Sequence, residues 1–455
     1  MELNEDTIVA RATALGSAGV AIVRLSGKDA VSIASSFLRI AGGKALDDVR
    51  PRYMATATIL MDDDVLDHCL VVRFAAPRSF TGDDVVELHL HGNVVIVEHV
   101  INLATKSGAR LATAGEFTRR SFLHGKLDLT QVEALGDLLA AESERAILVA
   151  QRQFAGELRR RLLSFREHLL HLLAMLELEL DFVEEGYHFA SPDTLTALLD
   201  ELAQFVDTLL TSYQAGNRLR RGPRVLLLGK PNAGKSSLFN AFVGYARSLV
   251  SPVAGTTRDY IEEVVSHSGV AFHFIDTAGL RETSDDIEEQ GVQLANALIP
   301  LSDHVCYLID PISKEHVDEE IKAMHALSLE FPQSDFLPVL TKKDTDTATA
   351  TATLLSDCLA ISIYDRQSLQ ILMDRLVGGY TNALADAISL VSQRQYHILV
   401  ALKQALTDVR LSVSQSTEFL SADLRVLLGP LSELTGETTN EDVLNHLFTS
   451  FCIGK

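Results

Sequence analysis

The sequence predicts a multidomain protein with α/β and helical regions, and three observations lead to this prediction. The chain has 455 residues, enough for about three domains of roughly 150 residues each. Its apolar spacing changes from strand-like to helical near residue 128, to alternating strands and helices after residue 222, and back to helical near residue 384. A glycine-rich loop between a predicted strand and a predicted helix marks the middle region as a ligand-binding α/β domain.

The composition excludes several classes of protein. The chain is 47% hydrophobic and 22% charged, which is ordinary for a globular protein and excludes a disordered or collagen-like chain. The formal net charge is −21. A chain this acidic does not coat nucleic acid by bulk attraction, so any RNA must meet a local patch or be brought by a second protein.

The cysteines and the apolar runs indicate a reduced compartment. None of the four cysteines forms a C-x-x-C pair, so neither a zinc ribbon nor a dithiol site is indicated. The first twelve residues, MELNEDTIVARA, are acidic and do not resemble a signal peptide. No apolar run approaches the ~18 residues that span a bilayer. We therefore expect a cytoplasmic protein that does not enter membranes.

Residues 1–122 are predicted to form an α+β domain. Short apolar runs at residues 20–25 and 70–75 are typical of strands. Residues 85–91, VVELHLH, alternate, which puts Val86, Leu88 and Leu90 on one face and Glu87 on the other. The pair His89 and His91 suggests a metal site, but no third ligand accompanies it.

Residues 123–221 and 381–455 are predicted to form one discontinuous helical domain. Apolar residues recur with helical spacing at 129–139, 162–176, 198–210 and 384–406. Gly222-Pro223 ends the first helical stretch, and Thr439 with Asp442 forms a capping box for a last helix. Amphipathic helices need a partner for their apolar face, so the two flanks are expected to pack together.

Residues 222–380 are predicted to form an α/β domain inserted between those flanks. Apolar strands at 224–229, 271–276, 304–310 and 336–341 alternate with helical stretches. This order favours a mainly parallel sheet.

A phosphate-binding loop follows the first strand of this domain. Residues 229–236, GKPNAGKS, fit the pattern G-x-x-x-x-G-K-[ST] between a strand and a helix. Backbone N–H groups of such a loop converge on phosphates, Lys235 bridges the β- and γ-phosphates, and Ser236 binds Mg²⁺. The sequence therefore predicts a P-loop nucleotide site.

Two later motifs indicate that the nucleotide is GTP. Residues 276–279, DTAG, follow a strand, so that Asp276 can hold Mg²⁺ through water and the Gly279 N–H can meet the γ-phosphate. Residues 341–344, TKKD, close another strand. The Asp344 carboxylate can accept the N1 and 2-amino hydrogens of guanine, which adenine does not offer.

The loop at residues 255–259, GTTRD, is predicted to close over the nucleotide, although it also suits a solvated turn. Leu280 follows the DTAG motif, where Ras-like enzymes use a glutamine to orient the attacking water. The nearby acidic stretch, residues 281–289, is the closest replacement, but such a charge run also suits a solvated face.

With these motifs the chain resembles the MnmE (TrmE) family of tRNA-modification GTPases along essentially its whole length. Besides the GTPase motifs, the resemblance rests on residues 7–10, 23–27, 80–84, 115–118 and 126–129 and on the ending FCIGK. It implies an N-terminal α+β folate-binding and dimerisation domain, a discontinuous helical domain and an inserted Ras-like G domain.

The resemblance also implies the chemistry. In this family the G domains of a homodimer meet across the nucleotide, and K⁺ takes the place of an arginine finger. A flavin-dependent partner, MnmG (GidA), joins the protein in a heterotetramer or larger complex. Together they add an aminomethyl or carboxymethylaminomethyl group to C5 of the wobble uridine of tRNA. The one-carbon unit comes from 5-formyl- or 5,10-methylene-tetrahydrofolate.

Carried onto this sequence, the family pattern implies the following residues. The catalytic candidates are Glu288, which orients the attacking water, Lys235 and Arg281. The GTP-binding candidates are Asn232, Ala233, Gly234, Lys235, Ser236, Ser237, Ser251, Val253, Thr256, Thr257, Asp276, Thr277, Ala278, Gly279, Thr341, Lys342, Asp344 and Ser362. Ser236 and Thr257 would bind Mg²⁺, and Asn232, Ser251, Val253 and Thr256 would bind K⁺. The folate candidates are Arg24, Glu87, Lys126 and Lys455, and Cys452 is a further functional candidate.

Several of these residues have plainer alternatives. Arg24 suits an intrachain ion pair, Glu87 a solvated strand face, Lys126 a surface lysine and Cys452 a buried inert thiol. Thr341 stands where the family usually has Asn, which removes an amide contact to the base, and the last guanine loop, residues 362–364, is degenerate.

A second function from another class competes with the first. A GTP-dependent switch in ribosome or RNA assembly would share the P-loop and the GTTRD loop. Such proteins usually add a basic RNA-binding module, against which the charge of −21 and the lack of a basic patch in the sequence argue. They also have no reason to end in C-x-G-K.

Overall fold

The computed structural model describes residues 6–62, 64–181, 192–246, 261–276, 296–345, 358–381, 392–412, 417–438, 441–449 and 451–454. The chain forms two compact units. The first comprises Met1–Gly136, Gln153–Phe189 and Gln415–Lys455, and the second Asp137–Arg152 and Ala190–Ser414.

The first unit contains a seven-stranded sheet. Its strands are β1 (Ile8–Arg11), β2 (Ala18–Ser26), β3 (Leu38–Ile40), β4 (Ala55–Met61), β5 (Asp64–Phe74), β6 (Val85–Gly92) and β7 (Arg110–Leu111). They lie in the order β3-β4-β5-β6-β2-β1-β7, and the pairing is antiparallel except between β1 and β7.

One face of this sheet is covered by α1 (Ala30–Phe37) and α2 (Val94–Lys106). The alternation predicted for β6 is confirmed: Val86, Leu88 and Leu90 are buried in the core under these helices, whereas Glu87 and His89 are partly exposed on the opposite face. The Asn93 side chain caps α2 by accepting a hydrogen bond from the Val95 N–H.

The other helices of the first unit are α3 (Glu116–Leu123), most of α4 (Leu129–Ala140), α6 (Glu157–Asp181), α12 (Thr417–Thr435) and α13 (Glu441–Thr449). The apolar stripe predicted at 162–176 is buried, and α6 packs against α12. In α4 the prediction is only partly right, because Leu129 and Val132 are buried but Leu139 is 49% exposed. The capping residue Thr439 lies outside the described residues.

The second unit contains α5 (Glu144–Phe154, of which the last two residues belong to the first unit), α7 (Pro192–Arg221), α8 (Lys235–Ala246), α9 (Lys314–Glu330), α10 (Arg366–Thr381) and α11 (Gln393–Ser412). α7 ends immediately before Gly222-Pro223, as predicted. α7 also packs against α11. Helices from the two flanks therefore pack together in each unit, while the three-domain boundaries drawn from the sequence stay a prediction.

The sheet of the second unit has six strands: β8 (Arg224–Leu228), β9 (Ile261–His267), β10 (Val270–Asp276), β11 (His304–Ile309), β12 (Asp335–Leu340) and β13 (Leu359–Ala360). Their order is β13-β12-β11-β8-β10-β9. All neighbours are parallel except β9, which forms a hairpin with β10. The predicted parallel sheet is confirmed, and the antiparallel β9 and the short β13 were not predicted.

Candidate nucleotide-binding site

The carboxyl ends of the parallel strands bring the predicted nucleotide motifs to one edge of the sheet. β8 lies between β10 and β11, so the chain leaves β8 where the order of strands reverses. Ligands of open α/β sheets bind in the crevice at such a point. The sequence after β8 is the predicted P-loop, and β10 and β12 end at or next to the other motifs.

The backbone of the P-loop requires its glycines. Gly229 has a φ of +148°, and a Cβ there would lie 2.3 Å from the carbonyl oxygen of Leu308. Gly234 has a φ of +94°. Only glycine enters these conformations without steric cost. The loop then passes into α8, whose first residue is Lys235, so the N–H groups of a helix N-terminus face the loop.

Lys235 is held inside the curve of the loop. Its ammonium donates hydrogen bonds to the carbonyl oxygens of Gly229, at 2.6 Å, and Lys230, at 3.0 Å. Ala233 is buried, whereas Asn232, Ser236 and Ser237 are exposed around it. Asn232 also has a left-handed φ of +66°. The loop thus presents a cation and several polar groups to a phosphate-sized ligand.

Asp276 lies beside the base of the loop. It is the last residue of β10, is 3% exposed and is aligned with Leu227 of β8. Ser236 stands at the start of α8, just beyond the same loop. A carboxylate and a hydroxyl oxygen are hard ligands of the kind that Mg²⁺ prefers.

An ion pair between an exposed lysine of the loop and a buried glutamate holds the loop, and it was not predicted from the sequence. The Lys230 ammonium lies 2.5 Å from Oε1 of Glu320, which is 2% exposed, and the Tyr307 hydroxyl donates to Glu320 Oε2 at 3.2 Å. The hydrogen bond and the charge of Glu320 raise the pKa of Lys230. Glu320 shares the buried face of α9 with Val317 and Met324. A carboxylate within an apolar stripe was the available signal.

The guanine motif is supported by a hydroxyl from the next loop. Ser362 Oγ donates to Asp344 Oδ1 at 2.7 Å, and this bond holds the pKa of Asp344 below its ordinary value. Ser362 is in turn fixed by Ser368, whose Oγ accepts from the Ser362 N–H and donates to its carbonyl oxygen. The loop that looked degenerate in sequence therefore reaches Asp344. Ser368 was not predicted.

Thr341 and Lys342 connect the guanine motif to the strands. The Thr341 hydroxyl donates to the carbonyl oxygen of Ile309 at 3.2 Å and is buried, so it ties β12 to β11. Lys342 has a left-handed φ of +55°, and its ammonium pairs with Asp310 at the end of β11. These contacts place Asp344 at the same edge as the P-loop.

Some predicted site residues lie outside the described residues. They are Ser251, Val253, Thr256, Thr257, Thr277, Ala278, Gly279, Arg281, Glu288 and Lys455.

In the first unit, two of the folate candidates bind each other. Arg24 Nε donates to Glu87 Oε1 at 2.8 Å, and the guanidinium lies 5.6 Å from the centre of the Phe117 ring. The intrachain ion pair considered from the sequence is therefore present. Glu87 is not simply a solvated residue, since its side chain is 15% exposed and paired. Lys126 is exposed.

The segment 451–454 lies next to this ion pair. Arg24 Nη1 donates to the Gly454 carbonyl oxygen at 3.4 Å, and Ile453 forms a β-bridge with Ala114. A Cβ on Gly454 would lie 2.0 Å from the carbonyl oxygen of Arg11, so only glycine fits. Cys452 is exposed, so its interpretation as a buried inert thiol is wrong.

His89 and His91, considered as a metal site from the sequence, lie beside different carboxylates. His91 Nδ1 lies 2.6 Å from Asp67 Oδ1, and His89 Nε2 lies 3.6 Å from Glu87 Oε2. Within the described ranges, no cluster of three or more His, Cys, Asp or Glu side chains is arranged to hold a metal ion.

The parallel sheet, the P-loop and the guanine-type carboxylate define a P-loop protein with a guanine-nucleotide site. Comparison with known families gives a more specific answer. The model of the "MnmE helical domain" matches residues 129–452, and that of the "GTP-binding protein TrmE N-terminus" matches residues 7–126.

Full-length relatives agree with these matches. The chain is 40% identical to the tRNA modification GTPase MnmE of Chlorobium phaeobacteroides, over 99% of this chain and 97% of the relative. It is 36% identical to the protein of the same name from Syntrophus aciditrophicus, over 99% and 100%. The chain belongs to the MnmE (TrmE) family of tRNA modification GTPases.

Among solved structures, the chain is similar to the G domain of the T. maritima FeoB iron transporter, with 22% identity and a TM-score of 0.26, over 34% of this chain and 97% of that one. Of the helices that the structure describes, none is both long and apolar enough to cross a membrane.

Proposed function

We propose that this chain hydrolyses GTP and, with a flavin-dependent MnmG-type partner, drives the addition of an aminomethyl or carboxymethylaminomethyl group to C5 of the tRNA wobble uridine. The observation that carries the proposal is the meeting of the P-loop, Asp276 and the Ser362–Asp344 pair at one edge of the second sheet. Membership of the MnmE family supports tRNA modification over the alternative of an RNA-assembly switch.

The P-loop residues bind and orient the triphosphate. Lys235, close to the loop carbonyls, is positioned to neutralise the β- and γ-phosphates, and the N–H groups at the start of α8 face the same anions. Ser236 and Asp276 would hold Mg²⁺, which offsets charge on the phosphate oxygens when bound. Glu288 is proposed to orient the attacking water and Arg281 to stabilise the neighbouring segment.

The proposed K⁺ site takes its first ligand from Asn232. Its exposed side chain stands on the loop in a left-handed conformation, where an amide oxygen is a suitable hard ligand. Ser251, Val253 and Thr256 would complete the site. A bound cation there offsets charge that develops at the β/γ bridge.

The proposed folate site is built around Arg24 and Glu87. The Arg24 guanidinium suits a carboxylate or carbonyl oxygen, and the Glu87 carboxylate suits the N–H donors of an aminopyrimidine ring. The adjoining segment 451–454 would bring Cys452 and Lys455 toward the same site, and Lys126 is a further candidate. A second copy of the chain in a homodimer is part of this proposal.

The test is mass spectrometry of wobble nucleosides in tRNA from cells that lack this chain. We expect the C5-aminomethyl-type uridines to disappear and to return when the chain is restored. Lys235→Ala should fail to restore them, whereas Lys322→Ala, an exposed lysine on α9, should succeed. An unchanged nucleoside profile in cells without the chain would refute the proposal.

A further inference from the structure

Three exposed arginines meet at one edge of the first sheet, far in sequence from the nucleotide motifs. The connection that leads into β4 and the one that leaves β5 lie together because these strands are antiparallel, with Ala55 aligned with Val71. We call the group formed by Arg50, Arg52, Tyr53 and Arg78 the arginine–tyrosine turn. All four side chains are exposed.

The backbone of this turn is held in an unfavourable conformation. Arg52 has a φ of +67°, which is uncommon for a residue other than glycine. Its N–H donates to the Arg73 carbonyl oxygen at 2.8 Å, and its guanidinium donates to the Arg78 carbonyl oxygen at 2.9 Å. Left-handed residues kept by surrounding contacts are concentrated at ligand-binding sites. The turn is thus formed before any ligand arrives.

The positive charge of the turn is not neutralised by its neighbours. In the part of the chain that the structure describes, no carboxylate lies within ion-pair distance of Arg50, Arg52 or Arg78. Asp47 pairs with Arg73 at 3.4 Å, and Asp84 accepts the Ala76 N–H.

Of the remaining nearby carboxylates, Asp83 lies against Arg120 and His124, and Asp48 is exposed. Among the described residues, three guanidinium groups without a carboxylate partner thus stand near two carboxylates without a cation partner, Asp48 and Asp84. The excess of positive charge forms a local basic patch, which the sequence of a chain with a net charge of −21 did not reveal. Such a patch attracts phosphate groups.

Exposed aromatic rings accompany the arginines. Tyr53 is 54% exposed and Phe80, two residues after Arg78, is 40% exposed. The Arg50 guanidinium lies over the Tyr53 ring, 4.6 Å from its centre. Proteins recognise unpaired bases of RNA by stacking them on aromatic rings and guanidinium planes while arginines hold the backbone. A binding surface for an acidic protein would use the charges but would not need the exposed stack.

We propose that the arginine–tyrosine turn binds the phosphates and unstacked bases of an RNA loop. This inference rests on the proposed function, which makes tRNA the RNA concerned. The turn supplies a local patch of the kind that a chain of this charge needs in order to contact RNA directly.

The experiment measures binding of a fluorescent anticodon stem–loop RNA to the purified full-length chain, by anisotropy, over a range of salt concentrations. For the triple variant Arg50→Ala, Arg52→Ala and Arg78→Ala we expect at least about tenfold weaker binding at low salt. The negative slope of log affinity against log salt should become shallower by about two, since each lost phosphate contact to a single strand removes about 0.7 from its magnitude. The control triple variant, Arg160→Ala, Lys322→Ala and Arg375→Ala, removes three exposed charges elsewhere and should bind like the wild type.

Two single variants keep the test decisive if the triple variant does not fold. Arg52→Gly preserves the left-handed backbone while it removes the charge, so it should weaken binding and lower the salt slope. Tyr53→Leu keeps the charge but removes the stack, so it should weaken binding with an unchanged slope. Wild-type affinity in both variants, or no binding by the wild-type chain, would overturn the inference. Either result would leave a protein partner as the alternative ligand of this surface.

The RNA-binding measurement and the nucleoside measurement test the two proposals independently. RNA binding that depends on the turn, in a chain whose loss leaves wobble nucleosides unchanged, would overturn the proposed function alone. Restored nucleosides with RNA binding independent of the turn would overturn this inference alone.

Discussion

Among single residues, Lys230 is the P-loop side chain that turns away from the phosphate site to a buried partner. Its ammonium contacts Glu320, and Glu320 also accepts the Tyr307 hydroxyl. The Lys230 carbonyl oxygen accepts hydrogen bonds from the Lys235 ammonium and the Ala233 N–H. The ion pair therefore positions the same peptide group that holds Lys235.

We expect Glu320→Gln to raise the KM for GTP about tenfold, or about 1.4 kcal/mol, with little change in kcat. The reason is that Lys230 loses its charged partner and the loop must be ordered when the nucleotide binds. Steady-state hydrolysis measures both constants. Glu330→Gln, which removes an exposed carboxylate at the far end of the same helix, is the matched control. A fall in kcat with an unchanged KM would show that the pair does not position the loop.

The Asp344 carboxylate is expected to bind the guanine base. Asp344→Asn should weaken GTP binding about a hundredfold, or about 2.7 kcal/mol, because the base loses two hydrogen bonds to a charged acceptor. Inosine triphosphate lacks the 2-amino group and serves as the control. The wild type should prefer GTP over it, and the variant should lose this preference. An equal preference in both proteins would mean that Asp344 does not contact the base.

At the scale of single elements, the N-terminus of α3 is fixed by a network of charges. Gly115, with a left-handed φ of +68°, precedes the helix. The Glu116 carboxylate accepts hydrogen bonds from Arg110, at 2.6 and 3.1 Å, from Arg120 and from the Thr113 N–H. Burial would raise the pKa of Glu116, but the bonds from Arg110 and Thr113 outweigh it and lower the pKa below its ordinary value of 4.5.

We expect Glu116→Gln to destabilise this region by about 2 kcal/mol at neutral pH, because it removes the charged acceptor of the hydrogen bonds from Arg110 and Arg120. Both arginines keep Asp6 as a carboxylate partner, which limits the loss. Since the folded pKa is lowered, the stabilisation is fully present above pH 4.5 and is lost as the pH falls through the folded value. Hydrogen-exchange protection of the β1 and β7 amides measures the effect.

Glu98→Gln, an exposed carboxylate on α2, should cost almost nothing at any pH. If the difference between Glu116→Gln and the wild type did not shrink in acid, the ionised Glu116 would not be the source of the stabilisation.

For the whole molecule, the two compact units carry different candidate sites. The P-loop and the guanine carboxylate belong to the second unit, and the Arg24–Glu87 pair, the segment 451–454 and the arginine–tyrosine turn belong to the first. A ligand stabilises the structure that binds it in proportion to the logarithm of its concentration over Kd. Ligands therefore report which unit contains which site.

We expect GDP with Mg²⁺ to slow hydrogen exchange at residues 229–246 and 341–345 and to leave the seven-stranded sheet unchanged. A tetrahydrofolate should slow exchange at β2, β6 and residues 451–454 instead. ADP with Mg²⁺ is the control and should protect neither unit. Protection of β2 and β6 by GDP would contradict the assignment of the sites to separate units.

Local periodicity was sufficient to predict the elements that bury their apolar residues in a regular pattern along the chain. The strands β8, β10, β11 and β12 were predictable because strands buried on both faces are short apolar runs. The alternation of β6 and the stripe of α6 were predictable because burial of one face leaves a period of 2 or 3.6 in the sequence. Leu139 was wrongly placed on a buried face because an apolar stripe in the sequence does not show where the element that packs against it ends. β9 was not predicted because buried and polar residues do not alternate regularly along it.

By itself the sequence determined the P-loop, the guanine motif and the family, since each depends on residues that are adjacent or regularly spaced along the chain. The tertiary structure alone decided which side chains meet. It paired Arg24 with Glu87, brought Arg24 to Gly454 across 430 positions, and placed Glu320 beside Lys230. It also joined two loops into the arginine–tyrosine turn. The physical reason is that such partners are chosen by the packing of whole elements, which leaves no regular spacing in the sequence.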